Sequence, residues 1–195
     1  MASRNRKKLA ELRRVLDAAA VSGLTLVSID DVPAFDEAAE TGATFEDNAL
    51  AKAREGFAAT GLPTVADDSG LEVAALNGMP GVLSARWSGV HGDDAANTAL
   101  LLAQLLDVPD QRRDAAFVSA CALVSGLGEV VVRGEWRGAI AREPRGDRGF
   151  GYDPVFIPDG EDRTAAQLTS AEKDAVSHRG RALALLLPAL RALAD

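Results

Sequence analysis

The sequence is poor in residues that carry covalent, redox or transition-metal chemistry. It has one cysteine, Cys121, in 195 residues, so no internal disulfide can form. Cys121 sits in the apolar run 117–124, which predicts a buried small hydrophobe. The two histidines, His91 and His178, stand far apart. There is no HExxH, no paired CxxC and no zinc-ligand cluster. The glycine-rich Walker loop ending in GK[ST] is absent, as is the G-x-S-x-G nucleophile elbow. No apolar run is long enough to span a membrane, and no secretory signal is visible. The expected compartment is therefore the cytosol, with no membrane partner. Basic residues are outnumbered, 21 Lys and Arg against 29 Asp and Glu, for a net charge of −8. That argues against nonspecific nucleic-acid binding, which needs a basic field. Anionic small molecules stay compatible wherever basic side chains gather. Internal repeats, low-complexity tracts and clean linkers are all missing.

What is present has globular composition, 47% apolar and 26% charged, in a chain long enough for one substantial core or two small lobes. Residues 6–20 place Leu9, Leu12, Val15 and Leu16 on one stripe, with Lys and Arg on the other faces, which predicts a helix. Residues 24–29 read as a strand. Residues 44–60 read as a second helix, opened by Thr44 and Asp47 in a shortened capping-box pattern and stopped by Gly61-Leu62-Pro63. A strand over 62–66 leads to Asp67, and residues 71–76 follow as another extended run. Asn77-Gly78-Met79-Pro80-Gly81 is a stiff turn. A helix starts at Asp93 or Asp94 and runs to Leu106. Residues 116–124 and 129–138 read as strands of a hairpin turning at Gly126-Leu127-Gly128. Residues 152–157 suggest a short strand, and 170–175 and 179–193 suggest helices. The last helix carries too many leucines for one narrow stripe, so it is expected to be well buried or at an interface. Alternating helices and strands around a hairpin predict an α/β fold with a mixed sheet. Such a chain usually opens on a strand. Only Met1 and Ala2 precede the loop-like Ser3-Arg4-Asn5, so the first strand is either vestigial or truncated.

Asp67-Asp68-Ser69-Gly70 is the most informative stretch. Adjacent carboxylates at a strand end point to opposite faces, so one supports a turn while the other faces a cleft. Ser69-Gly70 predicts a tight reversal with exposed N–H groups. This suits a divalent metal and a phosphate, and equally an ordinary acidic turn. Ser3, Arg4, Asn5, Arg6, Lys7 and Lys8 gather cations at a helix start, where unpaired N–H groups favour anions. A solvated basic turn is the plain alternative. In Gly149-Phe150-Gly151-Tyr152-Asp153-Pro154 the glycines clear space for the Phe150 ring to stack a base, for about 1–3 kcal/mol. Asp153 would accept from a base N–H or anchor the loop; the plain alternative puts Phe150 in the core. Ser177-His178-Arg179-Gly180 opens a helix, and His178 and Arg179 offer donors to a ligand carbonyl or serve only as a capping segment. Lys173, judged alone, is a surface lysine.

These stretches occur in order with Glu40-Thr41-Gly42, Thr44-Phe45, Asn48-Ala49, Lys52-Ala53-Arg54, Pro80-Gly81 and Ser84-Ala85-Arg86. As a set the chain resembles the noncanonical purine nucleoside triphosphate pyrophosphatases, also called inosine triphosphate pyrophosphatases or the Ham1-like family. The match spans nearly the whole chain and implies a single domain over residues 1–195. It implies hydrolysis of ITP, dITP and XTP between the α and β phosphates, giving the nucleoside monophosphate and pyrophosphate. It also implies a Mg2+ requirement and a cytoplasmic homodimer. The implied fold is a two-lobed α/β structure, with a long central mixed β-sheet flanked by helices and the active site in the cleft between lobes. By similarity Ser3, Arg4, Asn5, Arg6, Lys7 and Lys8 bind the triphosphate. Glu40 and Asp68 contact the metal, and Asp68 is the general base. Ser69 contacts substrate. Phe150, Gly151, Tyr152 and Asp153 hold the base, while Lys173, His178 and Arg179 supply the remaining contacts. The nearly missing first strand departs from the family pattern and bears on how the phosphate loop is positioned.

The residues support metal-assisted attack of water on the α-phosphorus. Glu40 and Asp68 would hold Mg2+ through hard oxygens and water, and Asp68 would take the proton. Asp67 would orient the turn or the hydration shell. Lys7 and Lys8 would neutralise the β and γ phosphates and the leaving pyrophosphate. Arg179 and His178 would donate to the 6-carbonyl of hypoxanthine or xanthine, and adenine would leave those donors unpaired. Two other readings use the same residues. One is a pyrophosphatase for another modified nucleotide, a pyrimidine included; the other is a nucleotide-sensing module without turnover. The Phe150 loop and the His178-Arg179 pair favour a 6-keto purine. Glu40, Asp67 and Asp68 favour an enzyme, because carboxylates repel a triphosphate unless a metal bridges them.

Overall fold

The computed structural model describes residues 1–2, 6–33, 35 and 39–194, without the side chains of residues 6, 7, 174 and 175. In chain order come helices α1 (Arg6–Ala18) and α2 (Phe45–Thr60), strand β1 (Thr64–Val73) and helix α3 (Asp94–Gln104). Strands β2 (Asp114–Ser125), β3 (Gly128–Ile140) and β4 (Phe156–Pro158) follow, then helices α4 (Ser170–Val176) and α5 (His178–Arg191). The strands form one sheet in the order β1-β2-β3-β4. β2 and β3 are neighbours joined by Gly126 and Leu127 alone, a connection that only antiparallel partners can share. β3 and β4 are antiparallel, with Gly138 opposite Pro158 and Ile140 opposite Phe156. The architecture is the expected α/β one, a central mixed sheet flanked by helices.

Local chemistry sets the helix ends. The Thr44 hydroxyl accepts from the Asp47 N–H at 3.1 Å to start α2, and Gly61, at φ 68°, ends it. Only a left-handed residue makes that stop at low cost, which selects glycine. Asp93 starts α3 by accepting from the Ala96 N–H.

Two compact units divide the chain. One comprises Met1–Asp68, Ser119–Gly134 and Arg179–Asp195; the other comprises Ser69–Val118 and Glu135–His178. The first is cored by Leu12, Leu16, Val65, Leu123, Leu183 and Leu186. Cys121 is fully buried there, and burial pushes its thiol up to about 12, so it is the inert hydrophobe its sequence context predicts. The second unit is cored by Leu71, Leu101, Leu105 and a ring cluster of Phe117, Trp136 and Phe156. Phe117 and Phe156 stand 4.6 Å apart between centroids, tilted by 59°, a favoured aromatic geometry.

The structure corrects several expectations. Asp67-Asp68-Ser69-Gly70 is not a turn: β1 runs straight through it. Gly70 is required for close approach instead. A Cβ there would collide with the Ser84 hydroxyl and stand 2.7 Å from the Gly81 carbonyl. Residues 74–76 form a 3-10 turn rather than strand, and Asp153–Val155 form another before β4 begins. Residues 24–28 have no assigned strand, and Ile29 opens a 3-10 turn over Ile29–Asp31. Val27 accepts from the Met1 ammonium at 2.9 Å. Ala2 donates to the Val65 carbonyl of β1 at 2.8 Å. In α5, Leu183, Leu186 and Leu190 are buried with Leu187 and, just past its end, Leu193 packed beside them, a broad apolar face as expected, and Leu185 is exposed.

Candidate active site

The first unit builds an acidic centre on α2 and β1. The buried face of α2 repeats through Phe45, Asn48, Ala49, Ala53 and Gly56. Asn48 and Lys52, one turn apart, share that side of the helix. The Asn48 amide donates to Asp68 Oδ2 at 2.9 Å, and its Oδ1 accepts from the Gly42 N–H at 2.8 Å. Partner chemistry fixes the amide orientation, since a carboxylate can only accept and an N–H can only donate. A Cβ at Gly42 would stand 2.6 Å from Asn48 Oδ1, so glycine lets the Glu40 segment lie against the start of α2. Lys52 Nζ then reaches Glu40 Oε1 at 2.5 Å and Asp68 Oδ1 at 3.3 Å. Burial pushes the Asp68 carboxyl above its ordinary value, more than Lys52 and Asn48 pull it down. Burial works against the Lys52 charge, yet Asp68 and Glu40 outweigh it and hold the ammonium protonated.

Asp67 serves a different set of partners, as adjacent strand residues should. Its Oδ2 pairs with Lys8 Nζ at 2.9 Å and with Arg179 Nε at 3.1 Å. Arg179 Nη1 donates in turn to Glu11 Oε2 at 2.8 Å. Burial alone would raise the Asp67 carboxyl; Lys8 and Arg179 overcome it and hold the group at about 2. Asp67 Oδ1 is buried with no hydrogen-bond partner among the described residues. Asp67 was expected to orient a turn or the hydration shell; there is no turn here, and through these cations it ties α1 to α5.

The second unit builds an aromatic loop. Gly149 and Gly151 adopt φ 80° and 61° on either side of Phe150, whose ring is 47% exposed. The core-filling alternative for Phe150 does not hold. Asp153 is buried, accepts from the Phe150 N–H at 2.9 Å and pairs with Lys173 Nζ at 2.5 Å. Of its two expected duties it performs the anchoring one. Lys173 Nζ also lies 5.1 Å from the Phe150 ring centroid, within cation–π range, so it is no plain surface lysine. The Tyr152 hydroxyl donates to the Ser84 carbonyl at 2.9 Å. His178 stacks on Phe117 with ring centroids 5.1 Å apart and planes 16° apart. Ser69 lies half-buried in β1.

The remaining predicted residues fall as follows. Ser3, Arg4 and Asn5 lie outside the described residues, as do the side chains of Arg6 and Lys7. Lys8 is described and is engaged with Asp67. Arg179, expected as a donor to the base, commits Nε and Nη1 to Asp67 and Glu11 and is 4% exposed. Sequence reasoning gave no role to Asn48, Lys52, Glu11 or Asp94. Asn48 and Lys52 had a signal: polar residues recurring on the apolar side of α2. Glu11 and Asp94 had none, because their partners lie 168 and 57 residues away.

Among the described residues no group of three or more His, Cys, Asp or Glu side chains is placed to hold a metal ion, so a closed cage is not built there. Glu40 and Asp68 form a two-carboxylate set joined by one ammonium. Two hard carboxylates, completed by water and substrate phosphates, are the donor set that Mg2+ takes. The residues therefore fit that ion.

A sequence profile of the Ham1 family matches residues 1–189. The chain is 82% identical over 194 residues to the dITP/XTP pyrophosphatase of Mycobacterium tuberculosis (strain ATCC 25618 / H37Rv), covering 100% of this chain and 95% of that protein. Among solved structures, the nucleoside-triphosphatase / dITP/XTP pyrophosphatase of Mycobacterium abscessus aligns with a TM-score of 0.82 at 72% identity, covering 96% of each chain. A HAM1 protein from Coxiella burnetii aligns with a TM-score of 0.88 at 42% identity, covering 97% of this chain and 96% of that one.

Proposed function

The chain belongs to the Ham1 family, and on that premise we propose that it hydrolyses dITP, XTP and ITP to the nucleoside monophosphate and pyrophosphate, clearing noncanonical purines from the nucleotide pool. The observation that carries the chemistry is Asp68, a buried carboxyl with a raised pKa, held by Asn48 and facing Lys52 beside Glu40. A base whose pKa is lifted towards the working pH takes a proton more effectively. Asp68 removes the proton from water as its oxygen attacks the α-phosphorus. The bond to the bridging oxygen breaks, and the electron pair leaves with pyrophosphate. Lys52 keeps the acidic pair from repelling the polyphosphate and lends charge as the transition state forms. A Mg2+ ion held by Glu40 and Asp68 would polarise phosphate oxygens and acidify water when bound. The exposed Phe150 ring, with Lys173 against it, supplies stacking for the base, and residues 1–195 work as one functional domain.

We further read the protein as a cytoplasmic homodimer whose partner is a small nucleotide, with no nucleic acid or membrane; this rests on the family and on the −8 net charge. Among the described residues no helix is long and apolar enough to cross a membrane.

The test is pyrophosphate release from dITP, XTP, ITP, GTP, ATP and dTTP, with Mg2+ and with EDTA. Release from the first three, far above the others and abolished by EDTA, is the expected result. Preference for dTTP would move the assignment to a pyrimidine; binding without release would make the protein a sensor. Light scattering on the same preparation should give twice the mass of one chain.

A further inference from the structure

We propose that Asp94 is a positioning residue for base recognition: its carboxylate fixes the glycine-flanked Phe150 loop so that the ring is presented in one orientation. The inference rests on the reading of residues 149–153 as the base site.

The loop lacks the usual means of fixing a side chain. Gly149 is held by crowding, since a Cβ there would run into the Asp153 carboxylate. Gly151 has nothing within 4 Å of its Cβ position, so no packing confines it, and its left-handed φ of 61° is a conformation glycine leaves readily. Phe150 is half in solvent, and the Lys173 ammonium near its ring does not hold the Gly151 backbone. Two hydrogen bonds to carboxylates flank Phe150. One is the Phe150 N–H to Asp153 Oδ2, 2.9 Å. The other is the Gly151 N–H to Asp94 Oδ2, 2.7 Å. The Asp153 N–H adds a longer bond to the Phe150 carbonyl, 3.3 Å. The Thr98 hydroxyl adds only a 3.5 Å contact to the Gly151 carbonyl, at the limit of a hydrogen bond.

The two carboxylates differ in what else they do. Asp153 is buried and paired with Lys173. Asp94 is exposed at the first residue of α3. It is not the cap of that helix, because Asp93 already accepts from the Ala96 N–H at 3.0 Å. The Asp94 carboxylate is thus spared for the loop, and an N–H donating to a carboxylate is among the stronger hydrogen bonds. Without it the 150–151 peptide is left with the longer Asp153 N–H bond to the Phe150 carbonyl and turns more freely at Gly151, so the ring would have to be ordered again each time a base binds, a cost that appears in affinity rather than in the chemical step.

The experiment compares wild type with Asp94→Ala and Asp94→Asn, reading amide hydrogen exchange at Gly151 in the free protein, and KM and kcat for dITP and XTP. Asp94→Ala should speed Gly151 exchange and raise KM about tenfold, the size of one such anchor, with kcat little changed. Asp94→Asn keeps an oxygen that can accept the same N–H, so both readouts should return close to wild type. Wild-type exchange and KM in Asp94→Ala would overturn the proposal. So would equal damage in both variants, which would assign the effect to charge at the start of α3. A lower melting temperature with unchanged Gly151 exchange would make the role merely structural and also overturn it. If the wild type cleaves neither nucleotide, the functional reading of the loop falls, and exchange alone decides whether Asp94 fixes it.

Discussion

Asp67 and Asp68 are consecutive, yet their surroundings give them opposite chemistry. Asp67 meets two cations and stays ionised far below neutral pH, whereas Asp68 is raised by burial that Lys52 and Asn48 only partly offset. A carboxylate of the first kind is a fixed charge, and one of the second kind is a proton acceptor. Replacing Asp68 with Asn should lower kcat by at least about a hundredfold, in line with loss of a general base. Nucleotide binding should change by much less, because the phosphates are still met by cations. Steady-state kinetics beside calorimetric titration with dITP would check this, and equal losses in both would remove Asp68 from the base role.

At the scale of elements, β1 owes its path to its contact with the 3-10 turn Gly81–Arg86. The Ser84 hydroxyl accepts from the Leu71 N–H at 2.8 Å and donates to the Gly81 carbonyl at 2.6 Å. The Ser84 carbonyl also receives the Tyr152 hydroxyl. This small network ties the continuation of the Asp67-Asp68 strand to the aromatic loop, and Gly70 is the residue that lets it close. Gly70→Ala should destabilise the protein by about 1–3 kcal/mol, as overpacking usually does. Adding Ser84→Ala should recover only part of that, since the Gly81 carbonyl remains in the way. Urea denaturation would measure both, and a Gly70→Ala protein as stable as wild type would show the contact to be slack.

At the scale of the molecule, the chain crosses between its two units at four places, and two of them fall between Asp68 and Ser69 and between His178 and Arg179. The Asp67 cluster also shapes global stability. Its folded pKa of about 2 lies below the ordinary 3.8, so the unfolded chain takes up the proton first as pH falls. The stabilisation is complete above about pH 4 and disappears as pH approaches 2, and it amounts to about 2 kcal/mol. Asp68 acts with the opposite sign, since its raised pKa makes ionisation disfavour the fold. The difference in unfolding free energy between wild type and Asp67→Asn should therefore shrink by about 2 kcal/mol between pH 5 and pH 2. A difference that stays constant over that range would mean Asp67 is not held by its cations.

Local spacing was enough to read much of this protein. Leucine periodicity marked α1, Thr44 and Gly61 marked the ends of α2, and the Gly126-Leu127 turn marked the hairpin, because caps, turns and helical faces are settled by neighbours a few residues apart. The ordered motifs also pointed to the family. The course of the chain through Asp67-Asp68-Ser69-Gly70 was misread, since an acidic Ser-Gly stretch looks like a turn until Ser84 and Gly81 are seen to demand the glycine. Arg179 was expected at the base, and the structure adds a partner that spacing could not show, Asp67, 112 residues away. Lys52 was part of a motif without a task until Glu40 and Asp68 were brought to its ammonium. Sequence determined what each residue is able to donate, accept or cap. Only the tertiary structure decided which distant partner it meets, because burial and ion pairing depend on separations in space that local patterns do not encode.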